Sequence, residues 1–306
     1  MSNFEYALHV AVGAATIALV LLFVPIYIRI ICIFLLNRSF RSLECYQIMI
    51  QIGVTQCAMA PSWFFTGVAH IIQKDYGLTA AWTYKFNGVL VRAEALLSVL
   101  LAMNRLRIIC NWTCSRFLQQ KTQFLLMYLA SLVVWVLCFI PFVVVLTGAA
   151  DFLVDPKEFL PRYDYSKPYS ELLQNFGSNQ LIVTSLITLV LYLIIVVYLV
   201  YQQCKVGISS EFKKEKVILL HAVVRFVFDF SAAILYNFGK YFLPSSDYAS
   251  IFVFFTYPFN NLVLPPVLYL TLYKSIREDF FGKKKAVGVS ESVFTVNPQN
   301  TGSRRE

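Results

Sequence analysis

The fifth apolar block of the chain reads Gln180-Leu-Ile-Val-Thr-Ser-Leu-Ile-Thr-Leu-Val-Leu-Tyr-Leu-Ile-Ile-Val-Val-Tyr-Leu-Val-Tyr-Gln-Gln203, without one charged side chain. A helix needs roughly 20 apolar residues to cross about 30 Å of hydrocarbon, and this block is long enough. The whole chain of 306 residues is 58% apolar or aromatic and only 14% charged. A soluble domain carries about 25% charged residues. The sequence therefore predicts an all-α integral membrane protein.

Six other blocks of similar character predict that the chain crosses the bilayer seven times. The seven blocks cover residues 7–36, 46–73, 80–109, 122–147, 180–203, 216–242 and 249–273. We interpret the first block as an uncleaved span, because no basic segment precedes it and it is too long for a signal peptide. The predicted fold is a bundle of seven transmembrane helices. An odd number of spans argues against a transporter built from inverted repeats.

The basic residues lie mainly on one side of the predicted bundle. Of the 26 Lys and Arg residues, 17 lie in or beside 37–45, 110–121, 204–215 and the tail from 274, and 5 lie on the other side. The positive-inside rule then places the N-terminus outside the plasma membrane and the C-terminal tail in the cytosol. The loop 148–179 is expected to be extracellular. The net charge of +9 follows from topology, so we expect no nucleic-acid partner.

The segment after the last block predicts a helix that lies on the membrane. Residues 273–281 alternate charged and apolar side chains at helical spacing, which is typical of an amphipathic helix on the inner leaflet. Three lysines at 283–285 follow, and they suit anionic lipid as a partner. We expect one seven-transmembrane domain over residues 1–282 and a disordered cytosolic tail over 283–306.

The sequence is poor in catalytic patterns. It has three His, and it contains no GxSxG, no HExxH and no phosphate-binding loop. Cys110 and Cys114 form an isolated C-x3-C, which is a weak metal signal. We therefore expect no enzyme activity, no cofactor and no metal.

Charged residues inside the predicted spans are the most informative feature, because each is costly unless it is paired or hydrated. The third span holds Lys85, Arg92 and Glu94, and the sixth holds Arg225 and Asp229. The last two are four residues apart, so they share a helix face and can pair. Arg92 and Glu94 are two residues apart and point to nearly opposite sides of their helix. Two interpretations stay open: these charges lock the helices together, or they serve a ligand or a switch.

Five short motifs in and after the spans add a family resemblance. They are Pro25-Ile-Tyr-Ile28, Cys45-Tyr-Gln-Ile-Met49, Leu100-Leu-Ala-Met-Asn-Arg105, Asn261-Leu-Val-Leu-Pro-Pro-Val-Leu-Tyr269 and Ile276-Arg277. Over about residues 20–282 the chain resembles the nematode serpentine chemoreceptors, which are G-protein-coupled receptors, and most of all the Srg superfamily in its Srv or Srt classes. The resemblance implies a rhodopsin-like bundle and sensory perception through signal transduction. It further implies an external small molecule or peptide as ligand, a heterotrimeric G protein as partner, and a place in the sensory cilium.

The same resemblance implies a coupling site at the cytosolic side. Asn104-Arg105-Leu106 stands where rhodopsin-like receptors have Asp-Arg-Tyr, and Pro266-Val-Leu-Tyr269 matches their Pro-x-x-Tyr. By this resemblance Arg105 and Tyr269 contact the G protein when the sixth span swings outward. Asn in place of Asp at position 104 keeps open a receptor homologue that does not couple. The expected coupling and switch residues are Asn104, Arg105, Arg225, Asp229, Glu94, Arg92, Pro266 and Tyr269.

The chain also departs from the resembled pattern. Pro265 stands where the seventh span usually has Asn or Asp, and Gln56 stands where the second span usually has Asp. These two losses should weaken the usual sodium site, with Glu94 as a displaced carboxylate. The common disulfide of the second outer loop is not expected, because 148–179 contains no Cys.

A ligand is expected among the outer halves of the spans, where a mostly apolar cleft offers a few polar anchors. The candidate binding residues are Trp63, Phe64, His70, Trp82, Asn87, Tyr236, Tyr241 and Tyr257. A small-solute transporter or channel stays an alternative, because it would use the same buried charges as a path. The basic cytosolic loops favour partner docking instead.

Overall fold

Seven long helices form the bundle that the sequence predicts. The computed structural model describes residues 3–41, 43–109, 118–206, 210–244 and 246–282. Within this part, seven helices are long and apolar enough to cross a membrane. The expected tail 283–306 and the pair Cys110 and Cys114 lie outside the described residues.

Spans 1 to 6 are each a single helix. They are Asn3–Leu36, Glu44–Ile72, Thr79–Ile109, Leu118–Leu146, Ser170–Val206 and Ser210–Phe242. Span 7 has three consecutive segments, Asp247–Pro258, Phe259–Val263 and Leu264–Leu272. The remaining elements are Arg38–Arg41, Tyr76–Leu78, the strands Phe152–Leu153 and Arg162–Tyr163, and the terminal helix Lys274–Phe280.

The two ends of the bundle are distinguished by what folds against them. At one end, named here the loop end, the loop of residues 147–169 covers the bundle, with His9 of span 1 stacked on Phe159 at 4.2 Å between ring centroids. At the other end, named the tail end, the terminal helix packs on span 1, where Arg29 donates to the Phe280 carbonyl at 2.5 Å. Ile276 is fully buried in this contact. The predicted helix after span 7 is thus confirmed.

Span 5 begins ten residues earlier than predicted. Its helix starts at Ser170, whereas the apolar block starts at Gln180, so the preceding loop is shorter than 148–179. The first turns are polar, but Glu171 in the first turn favours the positive end of the helix dipole. The Ser170 hydroxyl accepts from the Asp151 amide and thereby ties the loop to the helix start. Hydropathy alone misses such a polar extension.

Spans 1 and 2 approach closely because both carry glycine at their contact. A Cβ added to Gly13 would lie 2.5 Å from the Gly67 carbonyl oxygen, and one added to Gly67 would lie 2.9 Å from the Gly13 oxygen. Small residues of this kind let helix backbones meet inside a membrane. The contact fixes span 2 against span 1 and so orients Trp63 and Met59 into the core.

Span 7 contains a π-helical segment over Phe259–Val263. Its backbone bonds run five residues back, so the Leu264 amide donates to the Phe259 carbonyl. In that register the next donor would be residue 265, which is proline and has no N–H. The Asn260 carbonyl therefore lacks a helical donor and is available to another helix. Single π turns of this kind are frequent at functional sites.

Candidate functional site

Buried charges of spans 3 and 6 meet inside the bundle. The Arg225 guanidinium lies 2.5 Å from a Glu94 carboxylate oxygen and 3.5 Å from an Asp229 carboxylate oxygen. The Arg225 and Glu94 side chains are nearly buried, at 12% and 9% exposure, while Asp229 is one-third exposed. One cation thus joins two carboxylates on different helices. The predicted pairing within span 6 is present, and on span 3 it is Glu94 that contacts the pair.

This ionic cluster continues by hydrogen bonds into spans 1, 2 and 7. Gln56 donates through its side-chain amide to Glu94 and accepts from the Tyr27 hydroxyl at 2.6 Å. On the other side, the Asn260 amide donates to Asp229. The free Asn260 carbonyl left by the π segment accepts from Arg225 at 3.5 Å. We call Tyr27, Gln56, Glu94, Arg225, Asp229 and Asn260 the central network.

The central network links five of the seven spans through groups that are costly to leave unpaired in a membrane. An isolated buried ion is penalised far more than one that is both paired and hydrogen-bonded. If span 6 moved away from spans 3 and 7, several of these contacts would break at once and would have to be replaced by others. Glu94, which the resemblance relates to a sodium site together with Gln56, instead binds an internal cation, Arg225, and also accepts from Gln56.

A cavity of about 130 Å³ lies between the central network and the tail end of the bundle. Its lining includes Arg105, Tyr269 and His221 together with the three charged members of the network. Tyr269 is buried, with its ring 4.9 Å from that of His221 and 5.4 Å from that of Phe34. This tail-end cavity brings together five of the predicted switch residues. They are Glu94, Arg105, Arg225, Asp229 and Tyr269.

The other predicted switch residues lie outside that cavity. Pro266 is buried in span 7 directly after the π segment. Asn104 is buried to 1% exposure, and neither atom of its side-chain amide has a described hydrogen-bond partner. Its neighbour Arg105 reaches the Met49 sulfur at 4.0 Å. Arg92 is farther away and belongs to a different site.

A second cavity of about 110 Å³ lies below the loop end. Spans 2, 3, 5, 6 and 7 form its walls, and the loop contributes Phe152, Pro161 and Tyr163 to the lining. Four predicted ligand residues line this loop-end cavity: Trp63, Asn87, Tyr236 and Tyr257. Their role in binding stays a prediction.

The structure does not bring the other four predicted ligand residues to this cavity. Phe64 packs in the core against Phe65 at 5.6 Å, and His70 is buried between His9 and Phe159. Trp82 is 45% exposed under the Lys85 ammonium, and Tyr241 is 74% exposed. Sequence reasoning placed all of them in the correct half of their spans. It failed on the rotation of each helix, which decides the face that a side chain occupies.

Arg92 lies in the lining of the loop-end cavity, on the side of span 3 opposite to Glu94, as their spacing predicts. It donates to the Leu173 carbonyl at 2.9 Å and lies 3.5 Å from the Tyr163 hydroxyl oxygen. Burial raises the pKa of that Tyr163 hydroxyl, although the nearby guanidinium opposes the shift. Arg92 and Glu94 are two residues apart in the sequence. This spacing predicts that the two side chains lie on opposite faces of span 3.

The loop is fixed over this cavity by polar contacts to three spans. Lys85 of span 3 pairs with Asp151 at 3.0 Å, and Tyr236 of span 6 donates to the Pro161 carbonyl at 3.2 Å. A His70 ring nitrogen of span 2 lies 3.1 Å from the Pro156 carbonyl. None of the five cysteines in the described part of the chain forms a disulfide. These contacts therefore hold the loop without a disulfide among the described residues.

Comparisons with known proteins fit this geometry. The crystal structure of squid rhodopsin is similar over 91% of this chain and 85% of that chain, with a TM-score of 0.66 and 12% sequence identity. At this identity the likeness shows the fold alone, a rhodopsin-like seven-helix bundle. No curated protein sequence matches the chain.

A family model decides the choice between receptor classes. The model described as "Serpentine type 7TM GPCR chemoreceptor Srt" matches residues 2–290, nearly the whole chain. The match indicates a multi-pass membrane receptor of GPCR type and not an enzyme. The protein belongs to the Srt family of serpentine seven-transmembrane chemoreceptors.

Proposed function

We propose that this protein is a chemosensory receptor that binds an external small molecule in the loop-end cavity and activates a heterotrimeric G protein at the tail end. The N-terminus and the loop would then face the outside of the plasma membrane, as the 17-to-5 distribution of Lys and Arg favours. The tail-end residues Arg105 and Tyr269 would face the cytosol.

The observation that carries this proposal is the position of the central network between two cavities. Val91, Leu181 and Tyr257 line both cavities, so one layer of side chains separates them. Directly on the tail side of that layer, Arg225 binds span 6 to Glu94 of span 3. A ligand that displaces the layer would therefore act on the contact that restrains span 6.

The proposal requires two arrangements of the bundle, one resting and one active. A ligand can shift the equilibrium between them only if its affinity for the two arrangements differs. In the resting arrangement the loop-end cavity is small and the network is closed. In the active arrangement span 6 moves away from span 3 and opens the tail-end cavity for the partner. No chemistry on the ligand is required.

Cavity size supports a small molecule over a peptide as ligand. The loop-end cavity has a volume of about 110 Å³, and residues of the loop line it. An engineered protein cavity of about 150 Å³ holds one benzene molecule. A peptide would need the loop to leave its contacts with Lys85 and Tyr236.

Guanine-nucleotide exchange on purified heterotrimers, with the full chain in lipid nanodiscs, tests the proposal. Exchange is expected to rise above that of empty nanodiscs in Arg225→Met, which removes the cation that restrains span 6, and adding Arg105→Ala to that variant should lower it at least tenfold. Arg38→Ala is the matched control, because Arg38 is an exposed arginine at the tail end. Exchange equal to that of empty nanodiscs across a panel of G-protein types would contradict coupling. Solute flux through liposomes containing the chain would instead support the transporter alternative.

A further inference from the structure

Arg92 is a buried cation whose charge is not matched by a carboxylate of the described residues. Its exposure is 5%, and its described partners are the Leu173 carbonyl, the Tyr163 hydroxyl and the Phe176 ring. All of these are neutral. Within the described part of the chain, no carboxylate oxygen lies within 4.0 Å of its guanidinium.

Three other cations inside the described spans each have a carboxylate partner. Lys85 pairs with Asp151, Arg107 with Glu44, and Arg225 with two carboxylates. A buried ion without a counter-charge is costly, so its place in a cavity wall requires an explanation. A cavity wall, unlike a packed core, allows the counter-charge to arrive from outside.

The geometry of the guanidinium leaves donors for such a partner. Both hydrogen bonds of Arg92 use the same nitrogen, Nη2. Among the described residues, Nε and Nη1 have no acceptor. Nε–H and Nη1–H point in different directions, so a carboxylate bound through both of its oxygens would use Nη1 and would replace the long 3.5 Å contact of Nη2 with Tyr163.

Glycine makes room for this arrangement on span 5. A Cβ at Gly177 would lie 2.6 Å from Arg92 Nη2 and 3.1 Å from Nε. Any larger residue would displace the guanidinium from the cavity wall. Gly177 itself lines the cavity, so the span 5 backbone holds the cation in position.

The remaining lining fits a short molecule with one charged end. No acidic residue occurs in the described lining, and Arg92 is its one cation. Trp63, Phe152 and Phe254 supply apolar walls. Asn87 is buried, and its Oδ1 has no partner in the described structure. A ligand hydroxyl or amide hydrogen would satisfy it.

From these observations we propose that the loop-end cavity binds a small organic carboxylate, with its carboxylate on Arg92 and its apolar body among the aromatic walls. The cavity of about 110 Å³ restricts the body to roughly the size of benzene, unless the loop moves. This inference rests on the proposed function, since it names the ligand class for the same cavity. Its test does not use the G protein.

Binding to the full chain in nanodiscs is measured by thermal shift and by tryptophan fluorescence, because Trp63 lines the cavity. The probes are butyrate, benzoate and phenylacetate, each compared with its methyl ester and its primary alcohol. At least one acid is expected to bind, and its neutral counterparts should bind at least tenfold more weakly. Arg92→Gln should reduce acid binding at least tenfold, and Arg92→Lys should retain part of it. Arg162→Gln, an exposed arginine of the same loop region, serves as control.

Several results would overturn the inference. One is that acids and their esters bind equally well; another is that Arg92→Gln binds the acids as tightly as the unaltered chain does. A third is that chloride displaces the acids at equal concentration, and a fourth is that none of the acids binds. If Arg92→Gln fails to fold, the comparison of acids with esters on the unaltered chain still decides. If the acids bind but do not stimulate nucleotide exchange, G-protein coupling is refuted and the proposed ligand class stands. If only neutral compounds stimulate exchange, the proposed carboxylate ligand is refuted and G-protein coupling stands.

Discussion

Arg225→Met is the substitution that most directly tests the central network. With its groups ionised, the cluster of Glu94, Arg225 and Asp229 carries a formal charge of −1. Arg225→Met raises this to −2 and leaves two carboxylates without a cation. Glu94→Gln and Asp229→Asn each reduce it to zero and leave the guanidinium paired with the remaining carboxylate. The charge count thus ranks Arg225→Met as the most disruptive of the three.

The size of the effect follows from what each variant leaves buried. Removal of one partner from a buried ion pair costs about 3–5 kcal/mol. The lower end applies here, because Asp229 is one-third exposed and partly screened. For Glu94→Gln the contacts of Arg225 to Asp229 and to the Asn260 carbonyl remain, so we expect about 1–2 kcal/mol. A difference of about 3 kcal/mol shifts a two-state equilibrium on the order of 150-fold.

Two measurements in nanodiscs read out this effect without a G protein. The melting temperature should fall by roughly 6–12 °C for Arg225→Met and by roughly 2–8 °C for Glu94→Gln, at about 2–4 °C per kcal/mol. Spin labels at the exposed positions Ile108 and Leu220 should report a longer distance between spans 3 and 6 in Arg225→Met.

The control is the double variant Arg225→Asp/Asp229→Arg, in which the two charges change places. It restores opposite charges one turn apart and should recover part of the lost stability. If Arg225→Met reaches the cell surface with the same melting temperature and the same label distance as the unaltered chain, the network does not restrain span 6. Equal losses in Arg225→Met and Glu94→Gln would show that the charge count is the wrong explanation.

Three further predictions concern other parts of the molecule. A tag before Met1 should be labelled in intact cells and a tag after Glu306 only in permeabilised ones; the reverse pattern would overturn the orientation. Mild reductant on intact cells should leave surface expression and acid binding unchanged, because the loop is held by contacts such as Lys85–Asp151; a loss of binding would reveal a required disulfide. Asp75→Ala should destabilise the start of span 3 by about 1 kcal/mol, since this carboxylate accepts from the backbone amides of residues 80 and 81. Asp75→Asn is the control, and equal melting temperatures for the two variants would contradict a capping role.

Length and charge pattern predict the parts of this fold that depend on the bilayer itself. Seven spans follow from apolar blocks, because the hydrocarbon thickness sets their length. The pairing of Arg225 with Asp229 follows from helical spacing, and so does the opposite placement of Arg92 and Glu94. Each of these predictions needs only the geometry of one helix.

The features that the sequence does not predict depend on the rotation of each helix about its own axis and on the places where the backbone is irregular. Tyr241 and Trp82 face away from the loop-end cavity, although both are aromatic and in the correct half of their spans. The early start of span 5 brings Gly177 beside Arg92, but the polar first turns hide it from hydropathy. The π segment that frees the Asn260 carbonyl depends on Pro265 and on the register before it. A pattern search finds the proline but not the register.

The two residues Arg92 and Glu94 connect the proposed ligand site to the proposed switch through about half a turn of span 3. A carboxylate on Arg92 would neutralise the cation on the loop side, while Glu94 two residues later holds Arg225 on the tail side.

To move an equilibrium from 1:99 to 99:1, a ligand must prefer the active arrangement by about 10⁴-fold, or about 5.5 kcal/mol. The best small ligands gain up to about 1.5 kcal/mol per non-hydrogen atom, so an acid the size of benzoate can supply this difference only if much of its binding energy depends on the arrangement. A buried charge pair has that property, because its strength falls steeply when water enters. The ligand should therefore lose its efficacy, and not only its affinity, when Arg92→Lys replaces the planar fork by a single ammonium. Nucleotide exchange at saturating acid measures this directly: an unchanged maximal response in Arg92→Lys would show that Arg92 only captures the ligand and takes no part in the switch.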